Sequence, residues 1–317
     1  MRRLFDFFTP GGAARPAAVF VVLLAVVVLL KGGRFSLFDL RTLCVNVLPL
    51  ALAALGQYFV VLTNGIDLSL GPIMSVAGTL AATLFDQSIA LAIAAALAAG
   101  AFAGAMNGVL VVVLRLQPII ATLATMSIWQ GVALVVLPSP GGSVPPGLLA
   151  ALTQGDGLLP APVILLLLTG VFGRWAIATR FGLQLRAIGG DGAAARGSGV
   201  PSAPVTFAAY TLAGFLAALG GLYLTIATSS GSPTIGDNFI LLSIAAVVLG
   251  GVPLVGGRGS PVGVIIGALT LSVIGSLLYF ANLSSFYQSL INGVILISVV
   301  GLAGLRTWLW SAVGRAA

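Results

Sequence analysis

A chain of 317 residues that is 59% hydrophobic and 7% charged, with a mean hydropathy of +1.17, lies far from the roughly 25% charged content of soluble domains and belongs in a lipid bilayer. It has no histidine, and its seven acidic residues are all aspartates, which excludes His-containing catalytic triads, histidine proton relays and Glu/His metal sites. The single cysteine, Cys44, excludes an intrachain disulfide and every Cys/His zinc spacing; no catalytic or metal-binding cluster is expected.

The apolar stretches reach helix length and are rich in Gly and Ala, which fits close-packed transmembrane helices and not the alternating strands of an outer-membrane barrel. The expected fold is an all-α, polytopic transmembrane bundle forming a single domain over 1–317. Spanning the hydrocarbon core takes about 20 apolar residues. Ten segments qualify: 16–31, 43–62, 66–84, 88–114, 118–137, 160–174, 203–226, 238–256, 260–280 and 287–305. Arg2, Arg3 and Arg15 before the first apolar run resemble a signal-peptide layout, but hydrophobic segments continue to the C-terminus, so the run is read as an uncleaved first helix.

Basic residues orient the bundle. Ten helices starting in the cytoplasm put eleven arginines inside (2, 3, 15, 115, 174, 180, 186, 196, 258, 306 and 315) and only Lys31, Arg34 and Arg41 outside. The positive-inside rule then predicts both termini in the cytoplasm. The net charge of +7 is thus read as a topology signal, not as a nucleic-acid surface. The 31–41 cluster is the exception, with Asp39 the available partner for it.

Between the second and third segments the chain reads Thr63-Asn64-Gly65-Ile66-Asp67-Leu68-Ser69-Leu70-Gly71. An ionisable side chain at membrane depth costs roughly 2.5–3.5 kcal/mol on insertion scales, so Asp67 needs a partner, a wet cavity or a task. It is either a pathway or gate residue, with Asn64 and Ser69 beside it, or a structural carboxylate capping the next helix. Thr122, Thr125 and Gln130 mark one polar side of the fifth segment, with Asn107 as companion on the fourth. Such a stripe lines a hydrophilic path or bonds a neighbouring helix. The Gly250–Gly251 and Gly256–Gly257 pairs predict tight turns near Arg258. Gly65–Gly71 and Gly251–Gly257 also share the order Gly-apolar-x-Leu-x-x-Gly, a faint sign of duplication.

Two loops stand out. The outside loop 138–161 is rich in Pro and Gly, with Asp156 and no basic residue, and is expected to form part of an external docking rim. The inside loop 174–201 carries Arg174, Arg180, Arg186 and Arg196. There Asp191 is placed to cap a short helix from Gly192 to Arg196 that Gly197 and Gly199 stop. A short basic helix of this kind suits a cleft on a soluble partner; the alternative is a charged loop that only fixes topology.

The run Thr179-Arg180-Phe181-Gly182, Arg186-Ala187-Ile188-Gly189-Gly190-Asp191, Ala194-Ala195-Arg196 and Ser198-Gly199-Val200 resembles the coupling loop of the ribose/xylose/galactose family of ABC transporter permeases. The 63–71 stretch is similar to that family's hallmark. So are Asn107-Gly108 with Arg115–Met126, and Val247–Gly251 with Gly256–Ser260. The resemblance implies a non-enzymatic permease subunit of a bacterial inner-membrane importer, carrying a monosaccharide or similar small polar solute. It implies a second permease, most simply another copy, a periplasmic solute-binding protein, and cytoplasmic ATP-binding subunits that dock on the loop through Arg180, Arg186, Gly189, Gly190, Asp191 and Arg196. It also implies that the path runs beside the fifth helix, and that ATP and Mg are held by the partner ATPase. The chain agrees in having no phosphate-binding loop: its only lysine is Lys31. Branched-chain amino acids or nucleosides are the alternative solutes, and an ATP-independent facilitator the alternative class. Asn64, where the family usually has glycine, is expected to add an amide beside Asp67, and Gln130 stands where arginine is common.

Overall fold

The computed structural model describes residues 13–154, 159–280, 290 and 293–294. The helices are α1 (Ala14–Leu30), α2 (Leu37–Leu62), α3 (Leu70–Leu84), α4 (Ile89–Val112), α5 (Pro118–Val136), α6 (Pro146–Leu149), α7 (Ala161–Ala178), α8 (Arg180–Gly190), α9 (Gly192–Gly197), α10 (Ser202–Thr228), α11 (Asp237–Leu249) and α12 (Pro261–Phe280). A π-helical turn, Ala150–Gln154, continues α6. Among the described residues there is no strand, only an isolated bridge between Gly141 and Gly231.

Six of these helices, α2, α4, α5, α7, α10 and α12, are long and apolar enough to cross a membrane, and α1, α3 and α11 are shorter apolar helices. Together they coincide with the first nine expected segments; the tenth, 287–305, lies almost wholly outside the described residues. Boundaries moved where local chemistry overrode hydropathy. Helix α2 starts at Leu37 because Ser36 and Asp39 form a capping box. Helix α3 starts only at Leu70, since 65–69 is not helical, and α11 stops at Leu249 before the glycine turn. The loop 174–201 contains a helix absent from the expected segments: α8 is only weakly apolar, and its glycines at positions 182, 189 and 190 lower its intrinsic helix propensity.

The core is built around α2, in which every residue from Val47 to Leu62 is buried. It packs against α10, α11, α12 and α7. Pro49 sits inside it and leaves one carbonyl of the helix ladder without its usual donor. Helices α4 and α10 cross at close range. Gly100, Gly104 and Gly108 recur every fourth residue along α4, and a Cβ at Gly104 would overlap the Tyr210 carbonyl, as one at Gly214 would overlap the Gly100 carbonyl. This is the small-residue crossing that lets membrane helices gain dispersion energy without an aqueous hydrophobic drive.

Contacts sort the connections into two groups. Loop 63–69, the α8–α9 hairpin and loop 250–260 meet one another: Gly257 N donates to Leu62 O at 3.2 Å, and Gly189 leaves no room for a Cβ between Leu62 O and Gly257 N. On the other side Gly141 and Gly231 exchange backbone bonds, and Ser143 donates to Asp86. Lys31 pairs with Asp39, the partner the sequence offered, and the Arg41 guanidinium lies 5.0 Å over the Phe38 ring.

Candidate functional site

The polar segment after α2 is set by a left-handed turn. Asn64 has φ +64°; its N–H donates to Val61 O at 2.9 Å and the Gly65 N–H to Val60 O at 3.2 Å, the pair of bonds that closes a Schellman motif. Asn tolerates this conformation better than most residues, which explains the residue type. The turn leaves the Asn64 side chain exposed, so it does not supply the expected amide beside Asp67.

That amide comes from Asn107 on α4. Asp67 is fully buried and accepts on both oxygens: Oδ1 from Ser69 N at 2.8 Å and Ser69 Oγ at 2.7 Å, Oδ2 from Asn107 Nδ2 at 3.1 Å. Asn107 Nδ2 also lies 2.7 Å from Ser69 Oγ, and Asn107 Oδ1 accepts from Thr125 Oγ1 at 2.7 Å. Thr122 Oγ1 accepts from Leu68 N at 3.2 Å and donates toward Ile66 O at 3.2 Å and Pro118 O at 2.9 Å. Gln57, inside α2, completes the set. With its amide oriented to satisfy both groups, Nε2 donates to Asp67 O at 2.9 Å and Oε1 accepts from Asp67 N at 3.2 Å.

Five predicted or companion positions, Asp67, Ser69, Asn107, Thr122 and Thr125, therefore form one network with the unpredicted Gln57, each at most 1% exposed. In this conformation Thr122 and Thr125 bond neighbouring chain, while Ile120, Leu123 and Ile128 form the exposed face of α5. Gln130 stands apart: its Nε2 donates to Pro233 O at 3.0 Å and ties α5 to the loop between α10 and α11.

The α8–α9 hairpin is the second constellation. Asp191 caps α9 as its sequence predicts, Oδ1 accepting from Ala193 N at 2.9 Å and Ala194 N at 3.0 Å. These N–H donors hold its carboxyl below the usual carboxylate range. Gly199, at φ +79°, ends the helix by bonding back to Arg196 O. Arg180 and Arg196 are exposed, whereas Arg186 is half-buried and turns inward: its Nη2 donates to Gly259 O at 3.3 Å, the oxygen that also accepts from Tyr58 Oη at 3.1 Å.

The family model described as branched-chain amino acid transport system / permease component matches residues 40–300, which contain both constellations. The chain belongs to this permease family. It is 38% identical over 287 residues to the ribose import permease protein of Bacillus subtilis (strain 168), covering 88% of each chain. It is 36% identical over 290 residues to the ribose import permease protein of Escherichia coli (strain K12), covering 88% of this chain and 90% of that one. With the L-arabinose transport system permease protein of the same organism it shares 31% identity over 286 residues, 89% and 87% of the two chains. No solved structure matches. Family and relatives are permease components of transport systems, so the chain is a multi-pass membrane permease and not an enzyme.

For a permease the arrangement has a plain physical content. Helices α2, α3, α4 and α5 are tied at one end by a buried polar knot, and that end is the one on which the α8–α9 hairpin sits. Gln57 escaped the sequence reading because a lone amide in a long apolar run has no nearby partner in the chain. Its signal was its isolation at membrane depth.

Proposed function

We propose that this chain is the membrane-spanning subunit of a bacterial ABC importer, carrying a monosaccharide across the inner membrane by ATP-driven alternating access. The observation that carries the reading is the capped α8–α9 hairpin. It presents the exposed cations Arg180 and Arg196 outward while its other side, at Gly189 and Arg186, is seated on the end of α2 and on loop 256–259. A rigid basic element fastened to the core helix is what a cytoplasmic ATPase needs to move the bundle.

On this reading the bundle has about ten spans with both termini in the cytoplasm. ATP and Mg stay on the ATPase, a periplasmic binding protein delivers the solute to the opposite end, and a second permease, most simply another copy, completes the path along the exposed face of α5. The buried knot around Asp67 acts as the gate's latch, holding α5 in register with α2 and α4. ATP and the loaded binding protein drive the cycle because each favours a different state of the bundle. The sugar reading rests on the ribose and arabinose permeases among the relatives.

The test is reconstitution of the chain with its co-purifying ATPase and binding protein in vesicles, with uptake of labelled ribose, arabinose and leucine measured. Uptake of a pentose that requires ATP supports the reading. Uptake that persists without ATP, or of leucine alone, overturns it.

A further inference from the structure

The cations Lys31, Arg34 and Arg41 take no part in the function just proposed. Their segment runs beside a cavity of about 600 Å³ between α1, α2 and α12: Lys31, Phe35, Phe38 and Asp39 line it, Arg34 adjoins Phe35 in the chain, and the Arg41 guanidinium stacks over the Phe38 ring. Three cations and one carboxylate, Asp39, leave the segment 31–41 with a net charge of +2 (3 − 1).

Below this charged rim the cavity is amphipathic. Thr42 and Asn46 lie one turn apart on α2, and Ser272 and Ser276 one turn apart on α12, so two polar stripes line the same space. The Thr42 and Ser276 hydroxyls are bonded to carbonyls of their own helices. The Asn46 amide is open to the cavity and has no partner among the described residues. At 1.5 Å per residue it lies about 10 Å along α2 from Asp39, a depth at which a free amide is costly. Leu24 and Val27 of α1 and Val273 of α12 supply the apolar wall.

A ligand for this space needs a negative group at the rim, hydrogen-bond acceptors several ångströms deeper, and an apolar tail. A neutral sugar offers no charge to the arginines, and a free phosphate reaches neither Asn46 nor the apolar wall. We propose that the cavity is a binding site for an anionic glycerophospholipid, with its phosphate at the Arg34/Arg41 rim, its ester carbonyls toward Asn46 and an acyl chain against Leu24, Val27 and Val273.

The full chain, reconstituted in vesicles of equimolar phosphatidylglycerol and phosphatidylethanolamine, is extracted in mild detergent and its retained lipid counted by native mass spectrometry. Two cations near a membrane surface favour the anionic lipid roughly thirtyfold, so retained phosphatidylglycerol is expected to exceed phosphatidylethanolamine by about that factor. Gly275 lines the cavity and a Cβ there meets nothing within 4 Å, so Gly275→Leu fills the space without displacing a neighbour and loses the retained lipid. Asn46→Leu gives the same readout should Gly275→Leu not accumulate. The double change Arg34→Gln and Arg41→Gln keeps a lipid but abolishes the preference. Equal retention of the two lipids by the natural chain, or undiminished phosphatidylglycerol in the cavity variants, overturns the proposal. Neither result depends on whether the chain transports a sugar.

Discussion

Asp67 accepts three hydrogen bonds and has no exposed atom to exchange for water. Asp67→Asn keeps the size but replaces one acceptor with an amino group, which must face either Asn107 Nδ2 or the Ser69 donors. One buried donor is then left without a partner, a loss of about 1–3 kcal/mol, and the thermal midpoint in detergent is expected to fall. The double change Asp67→Asn with Asn107→Asp exchanges donor and acceptor across the same contact and recovers part of the loss. A midpoint unchanged in the single variant, or additive losses in the pair, counts against the knot. Asp67, Asn107, Thr122 and Thr125 were legible in the sequence because each is polar where its neighbours are apolar. Their pairing was not, since Asn107 lies 40 residues from Asp67. Asn64 shows the converse, as adjacency in sequence was undone by one left-handed turn.

At the scale of elements, apolar length located the membrane helices, and capping chemistry located α9. It did not reveal α8, whose amphipathic face becomes informative only when α2 is there to receive it. The α9 cap carries a pH signature. Because the folded-state value of Asp191 is depressed, its contribution is full above the ordinary carboxylate value of 3.8 and is lost as pH falls through the depressed one. Amide exchange at Ala193 and Ala194, corrected for intrinsic rates, is expected to accelerate below about pH 3.8. Asp191→Asn caps without titrating, so its exchange profile should stay flat; a parallel slope in both proteins would assign the effect elsewhere. The two arginines are expected to separate as well. Arg196→Glu, on the exposed face, should reduce recovery of the ATPase subunit in a pull-down. Arg186→Gln, which acts on Gly259 inside the bundle, should leave that recovery intact and lower uptake.

Across the whole molecule, one line of contacts joins the cytoplasmic hairpin of the proposed orientation to α5. Gly189 on α8 touches the Leu62 carbonyl, the end of α2 closes into the Asn64 turn, and the segment beyond it carries Asp67, which reaches Thr125 through Asn107. Nothing in the one-dimensional pattern announced this path, because it depends on backbone approaches that only glycine permits. Gly189→Ala tests it. The added Cβ would overlap Leu62 O and Gly257 N, so α8 must withdraw from α2, at a cost of about 1–3 kcal/mol for a tightly packed contact. Arg180 and Arg196 stay exposed in that variant, and the ATPase is expected to co-purify at the natural level. Uptake should fall sharply, since hydrolysis would move a hairpin no longer in contact with the core helix. Natural uptake would show that the movement travels by another route, whereas loss of the ATPase would place the effect of Gly189 in docking and leave the contact with α2 as packing alone.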